Sequence, residues 1–337
     1  MRALVYCAGG GIGDSLMAAI VADALKQRYE TVDMLTLPAH RPALERVPGL
    51  DAVLTDDGRD ERALAESLAQ RGYDAAIVTW ATPHTARVPQ LAKIPVRVGQ
   101  ANRLYSWRFT QRIAVRSEQG DITTHWSQIL LDYARALDVV PPDKSVLRFE
   151  PSPGDEREAE ALCAELGLAH SGFALVHPAN AIASERGIWP LEGWANLVRE
   201  IAARFNLPVL VSGSEDDRDI VEGIVARGGG FSIAGKTTIG SFGAIARRSA
   251  FFAGVTTGAM HVAAACGAPT IGIYPFQTDT PDRWAPLGER TAIVRATYPC
   301  RPGERKETCP DYACIANLDV PRVIAAIESL TGASAAA

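Results

Sequence analysis

The sequence predicts an α/β protein of two Rossmann-like units, each a doubly wound parallel sheet, facing each other across a cleft. Three observations carry that reading. Short apolar strands alternate with helices, and right-handed βαβ crossovers turn such alternation into parallel sheets. The chain has 337 residues, a length suited to two domains of about 150 residues each. A proline-rich, charged stretch, VVPPDKSVLRFEPSPGDE (139–156), interrupts the alternation, which then restarts. The expected boundaries are an N-terminal domain over 1–150, a C-terminal domain over 151–319, and a last helix with a frayed tail over 320–337.

The first strand is ALVYCA (3–8), followed by GGGIGD and a helical run SLMAAIVADALKQRY (15–29) with Leu16, Ile20 and Ala24 in step. Asp14 or Ser15 suits its N-cap. VDMLTL (32–37), DAVLT (51–55) and DAAIVTW (74–80) read as further parallel strands. Between the last two, ERALAESLAQRG is a helix with a glycine stop. In the second half FALVHPA (173–179), LPVLVSGS (207–214), SIAG (232–235), FFAGV (251–255) and PTIGIYP (269–275) are strands. Helices WANLVREIAARF (194–205), DDRDIVEGIVARGG (216–229), SFGAIARRSA (241–250) and MHVAAACG (260–267) separate them. Trp189 and Trp194 read as packing residues. Nothing repeats at a fixed short period, which excludes a solenoid.

Composition narrows the class. At 47% hydrophobic and 22% charged residues, each half can bury a core. A net charge of −5 argues against nucleic acid as the main partner, because phosphate binding normally leaves a basic excess. No run approaches the roughly 18 apolar residues of a membrane span, and the apolar opening is too short for a secretion signal. The expected location is the cytoplasm, with peripheral contact at a membrane surface left open. The six cysteines then read as free thiols or ligands.

Two glycine-bearing turns carry the chemistry. In CAGGGIGDSL, glycines at 9, 10, 11 and 13 let the backbone approach a ligand between a strand and a helix start. Gly9, Gly11 and Asp14 keep the spacing of a dinucleotide fingerprint, but an acid in the third place repels a pyrophosphate, and no P-loop Lys-Ser/Thr follows. Asp14 is therefore either a helix cap or a carboxylate base for an attacking hydroxyl. In GVTTGAMHVAAACGAPTIGIYP (254–275), Thr-Thr-Gly before a helix forms an anion site, with His261 a further donor; small residues packed on a sheet are the plainer account.

Two further features invite a function. Residues 87–116 hold seven basic residues (Arg87, Lys93, Arg97, Arg103, Arg108, Arg112, Arg116) and no acid, with Tyr105, Trp107 and Phe109 interleaved. They read as a solvated face or as a positive field for an anionic acceptor or a membrane surface. Cys300, Cys309 and Cys314 lie within fifteen residues and, with Asp311, have the ligand types of a metal site, although without paired CxxC spacing. Plain loop cysteines are the expectation.

GIGDSLMAAIVADALKQRY, IPVRVGQANR with THWSQILLDYARAL, LVSGSEDDRDI, and IAGKTTIGSFGAIARRSAFFAGVTTGAMHVAAACGAPTIGIYP resemble, in order, the lipopolysaccharide heptosyltransferase-like enzymes of glycosyltransferase family 9. The resemblance spans nearly the whole chain. It implies a GT-B fold and an inverting, metal-independent transfer from a nucleotide sugar, typically ADP-heptose, to a lipopolysaccharide-core or related glycan, without a bound cofactor. Carried over by position, Asp14 is the base. Thr257, Gly258 and His261 border the diphosphate; Ser214, Glu215 and Thr237 lie near the nucleoside; Arg186, Lys236 and Thr256 complete the donor side. Gly13, Arg97 and Arg103 fall on the acceptor side. The chain departs from the family pattern at Thr256, where an acid is usual, and at Gly187-Ile188, where a cation usually precedes Trp-Pro. A nucleotide-sugar epimerase and a catalytically inactive nucleotide-sugar-binding module are the alternative functions.

Overall fold

The structure is a computed structural model that describes residues 1–168, 172–178, 189–276, 280–299, 309 and 313–332. The chain divides into two compact units, Met1–Arg148 and Phe149–Ala337. The first holds a six-stranded sheet of β1 (Arg2–Cys7), β2 (Thr31–Thr36), β3 (Val53–Thr55), β4 (Ala75–Val78), β5 (Val96–Gln100) and β6 (Gln111–Ile113). The second holds β7 (Ala174–His177), β8 (Val209–Val211), β9 (Phe231–Ser232), β10 (Phe251–Val255), β11 (Thr270–Tyr274) and β12 (Thr291–Arg295). Every strand pair is parallel.

The two sheets share one topology. Their orders are β3-β2-β1-β4-β5-β6 and β12-β11-β10-β7-β8-β9, so each reverses direction once, between β1 and β4 and between β7 and β10. Loops leaving the carboxyl ends of those strand pairs open a crevice, the usual ligand position in such sheets. Parallel strands covered on both faces read as unbroken apolar runs, and β4, β8, β10 and β11 are buried throughout.

The elements differ from the sequence reading in several places. The first helix spans Ile12–Leu25, with Gly11 as its N-cap and Asp14 one turn inside. The 139–156 stretch is not all connection, because a helix, Pro153–Glu165, starts within it. Ser152 caps that helix by accepting from Asp155 N, and Pro153 at its first position is preset for helical φ. Strands β5, β6 and β12 are absent from the sequence reading: β5 and β6 carry arginine and glutamine, and β12 is TAIVR, polar at both ends.

In the first unit, Leu4, Tyr6, Leu68, Val78 and Phe109 form one buried cluster. The Tyr6 hydroxyl donates to buried Asp56, whose Oδ2 also meets His84 Nε2 at 2.7 Å, tying β1 to the loop after β3 and to the helix Pro83–Leu91. In the second, Trp189 and Trp194 are both buried and meet edge to face at 5.0 Å, which bears out their reading as packing residues. Among the described residues no helix is long and apolar enough to cross a membrane.

Candidate active site

At the first reversal point β1 ends at Cys7, and Gly9–Gly11 lead into the helix Ile12–Leu25. Gly10 has φ +68°, a left-handed conformation that favours glycine. The glycines also make room for Trp80, which follows β4 across the crevice. A Cβ on Gly9 would fall inside the van der Waals envelope of the Trp80 Nε1, and one on Gly10 would lie 2.8 Å from Trp80 Cζ3 and collide with Asp14 Oδ2. The indole therefore rests on the glycine loop next to Asp14, while 36% of Trp80 stays exposed.

Asp14 is half-buried, and its Oδ2 accepts the Gly11 N–H at 2.8 Å. Burial raises its pKa above the ordinary carboxylate value, with the Gly11 N–H and the charge of His40 pulling the other way. His40, in the 3₁₀ turn after β2, is buried and pushed below the usual imidazole value, an effect that Asp14 opposes. Behind them the buried Ser15 hydroxyl lies 2.9 Å from His40 Nδ1 and 3.1 Å from Thr36 Oγ1, which binds helix, β1 and β2 into one support. The Cys7 thiol is pushed up to about 11 by burial, so it stays protonated and is no nucleophile. What the arrangement offers is a carboxylate of raised basicity beside a half-exposed aromatic ring.

At the second reversal point β10 runs into Thr256-Thr257-Gly258 and the helix Gly258–Ala265. Thr257 is the N-cap in extended conformation, but its side chain makes no cap bond, and its buried Oγ1 has no hydrogen-bond partner among the described residues. The first helical N–H groups also lack intrahelical partners and point outward with the positive end of the dipole. His261 is buried one turn along the same helix. Beside β10, His177 closes β7: its Nδ1 meets Ser212 Oγ at 2.9 Å, and burial pushes it down to about 4, so it is neutral.

The other donor-side residues follow along the same sheet end. Ser214 and Glu215 stand after β8, Lys236 and Thr237 after β9, and Gly235 N donates to Gly213 O at 3.0 Å to join the two loops. Ser214 Oγ donates to Asp217 at 2.5 Å, and Glu215 pairs with Arg218 at 2.7 Å while lying over Gly235. Lys236 reaches Glu165 at 3.9 Å. So Ser214, Glu215, Lys236, Thr237, Thr256, Thr257, Gly258 and His261 stand on the loops or helix leaving three strands of one sheet, β8, β9 and β10. Arg186, Cys300 and Asp311 lie outside the described residues, and Cys314 is a buried cysteine outside any disulfide.

The acceptor-side residues are placed less uniformly. Gly13 sits in the first turn beside Asp14. Arg97 instead turns its guanidinium back on its own chain, donating to the carbonyls of Arg108 at 2.8 Å and Ile94 at 2.5 Å. Arg103 pairs with Glu118. The basic block is thus partly neutralised by acids outside it, since Arg87 meets Glu61 at 3.1 Å and Arg116 meets Asp132 at 2.7 Å. Trp80, His40, His177 and Ser212 escaped the sequence reading, and Ser15, read as a possible cap, instead supports His40 from inside the helix. The available signal was a polar or aromatic residue closing an apolar strand, as in DAAIVTW and FALVH.

Known proteins resemble this chain in sequence and fold. The model of glycosyltransferase family 9 (heptosyltransferase) matches residues 61–313. Lipopolysaccharide heptosyltransferase 2 of Salmonella typhimurium is 24% identical over a 350-residue alignment that covers 95% of each chain. Among solved structures, a family 9 glycosyl transferase from Veillonella parvula superposes with a TM-score of 0.84 at 17% identity, covering 99% of this chain and 98% of that one. The ADP-heptose lipopolysaccharide heptosyltransferase II of E. coli does so with a TM-score of 0.79 at 21% identity, covering 98% of each.

Proposed function

The chain belongs to glycosyltransferase family 9, and from that premise we propose that it is an inverting, metal-independent transferase that moves a heptose from ADP-heptose to a lipopolysaccharide-core or related anionic glycan. The observation that carries the proposal is Asp14: a half-buried carboxylate with raised proton affinity, at the reversal point of the first sheet. Relatives named for ADP-heptose and lipopolysaccharide support the choice of donor and acceptor.

In this reading the N-terminal unit holds the acceptor and supplies the base, and the C-terminal unit holds the donor. Asp14 takes the proton of the acceptor hydroxyl as its oxygen bonds to the anomeric carbon. The bond from that carbon to the diphosphate oxygen breaks, and its electron pair leaves with ADP. Fixed dipoles aimed at the developing charge stabilise such a leaving group. Here they are the N–H groups at the start of Gly258–Ala265 and the Thr257 hydroxyl. Ser214, Glu215, Lys236 and Thr237 hold the nucleoside end.

The test is turnover of ADP-heptose against UDP- and GDP-sugars on a lipopolysaccharide-core acceptor, with and without a chelator. ADP release that requires the acceptor, prefers ADP-heptose and is unchanged by chelation is expected. Turnover restored only by a divalent cation overturns metal independence, and preference for another nucleotide overturns the donor.

A further inference from the structure

The loop between β5 and β6 contains a feature that glycosyl transfer does not use. Leu104 is 99% exposed and Trp107 58% exposed. Ser106 N bonds to Arg103 O, Arg108 N to Tyr105 O and Phe109 N to Ser106 O, a run of 3₁₀-type bonds. Trp107 lies in the 3₁₀ turn Ser106–Arg108 and Leu104 just before it, so both exposed apolar side chains belong to one short hydrogen-bonded segment.

The loop is anchored from below. Phe109 is buried against Gly99, Ser106 Oγ donates to Gln100 O at 2.7 Å, and Tyr105 Oη donates to Ala81 O at 2.6 Å. An exposed leucine and tryptophan on a braced turn cannot retreat from water by local rearrangement. The cations around them complete the pattern. The Arg108 guanidinium stands 4.3 Å from the centroid of the Trp107 ring, and Arg103 and Arg112 lie on either side in sequence. No acid occurs from residue 87 to 116; among the described residues neither Arg108 nor Arg112 has an acidic partner, and Arg108 donates to the neutral side chain of Gln90.

We propose that this turn is an interfacial anchor for an anionic lipid bilayer, with Leu104 and Trp107 entering the headgroup–acyl boundary and Arg108 and Arg112 meeting lipid phosphates. Aromatic rings with a polar edge settle at that depth, and each nearby cation adds attraction to an anionic surface. An apolar tip combined with basic neighbours supplies the two signals that reversible membrane binding needs. The anchor also has a consequence for catalysis, which rests on the transferase reading above. The Tyr105–Ala81 bond joins the turn to the residue after Trp80, so a bilayer held there lies at the acceptor end of the first sheet.

Sedimentation of the full chain with phosphatidylcholine vesicles, with and without phosphatidylglycerol, tests the anchor. Neither donor nor acceptor is present, so failure of the Asp14 assignment leaves this result intact. The wild type is expected to sediment with the anionic vesicles and to be released by salt. Leu104→Ser combined with Trp107→Ser is expected to weaken that partitioning about tenfold or more, with an unchanged melting temperature and unchanged turnover of a water-soluble acceptor. The proposal is overturned if the wild type ignores anionic vesicles or if the double variant sediments equally well. It is also overturned if light scattering shows a dimer that the double variant dissolves while vesicle binding is absent, which makes the face a contact between copies.

Discussion

The backbone N–H of Gly11 donates to Asp14 Oδ2 at 2.8 Å, so the proposed base also clasps the first turn of its own helix. The two roles separate by substitution. Asn at position 14 keeps an oxygen for the Gly11 N–H but cannot accept a proton from an attacking hydroxyl. Asp14→Asn is expected to fold and bind nucleotide as the wild type does, with kcat lower by about 10²–10⁴. Asp14→Ala loses the clasp as well, at a further cost of about 1 kcal/mol in stability. Steady-state kinetics beside thermal melts decide it: an Asp14→Asn variant of normal kcat rejects the base and leaves only the clasp on Gly11 N–H.

The same carboxylate sets a pH dependence. Burial raises the pKa of Asp14 in the folded enzyme, so activity is expected to fall as pH drops through a value above the ordinary carboxylate range. Stability moves the other way. A carboxyl whose folded pKa is raised favours the fold while protonated and loses that contribution as pH rises through the folded pKa. The acid limb of kcat/KM is therefore catalytic and appears while the chain is still folded. A profile whose acid limb coincides with unfolding, or follows the pKa of an unperturbed carboxylate, contradicts this.

Gly9 and Trp80 form a packing pair across the first reversal point. Gly9→Ala places a methyl where the indole lies, which displaces the ring from the loop beside Asp14. The substitution is expected to destabilise the protein by about 1–3 kcal/mol. If the clash is the cause, Gly9→Ala costs far less in a Trp80→Ala background, and the double-mutant cycle shows coupling. Additive losses would place the need for glycine elsewhere.

Both sheets were legible because a buried parallel strand is an apolar run, as in FFAGV and TIGIY. The three-residue edge strand β6 (QRI) carries polar residues and loses that signature. Pro153 and its charged neighbours read as a connection, although proline belongs at a helix start once Ser152 is recognised as the cap. In the site, Asp14 and Thr257 could be found because each sits in a glycine-bearing turn within one segment. Trp80 and His177 show in sequence only as residues closing apolar strands; that they reach the site follows from β4 lying beside β1 and β7 beside β10, neighbours far apart in sequence. The ion pairs within the basic block were hidden for the same reason: Glu61, Glu118 and Asp132 approach Arg87, Arg103 and Arg116 only in the folded chain.

His177 makes the second unit sensitive to acid. The Ser212 hydroxyl donates to Val176 O at 3.1 Å and so accepts from His177 Nδ1–H, which holds a neutral ring among Phe242 and Phe252. With its pKa lowered to about 4 by burial, the imidazole resists a proton that the unfolded chain takes up near 6.5. Its contribution is complete above the unfolded value and is lost as pH falls through that value toward 4. Urea denaturation across this range is expected to show falling stability that His177→Asn flattens. A parallel decline in both proteins assigns the acid sensitivity to other groups.

Thr257 is the sharpest test of the donor side. A buried hydroxyl without a partner costs stability, and replacing it by a methyl of the same shape removes that cost. Thr257→Val is therefore expected to leave the melting temperature unchanged or slightly higher. If the hydroxyl is kept for a diphosphate oxygen, the same variant loses one charge-assisted hydrogen bond, and ADP binds about tenfold more weakly, near 1.4 kcal/mol. Thr257→Ser keeps the hydroxyl and should keep the affinity. Calorimetry with ADP separates the outcomes. Weaker binding on an intact fold supports a ligand role for the hydroxyl. Unchanged affinity in Thr257→Val leaves the anion to the helix N–H groups alone.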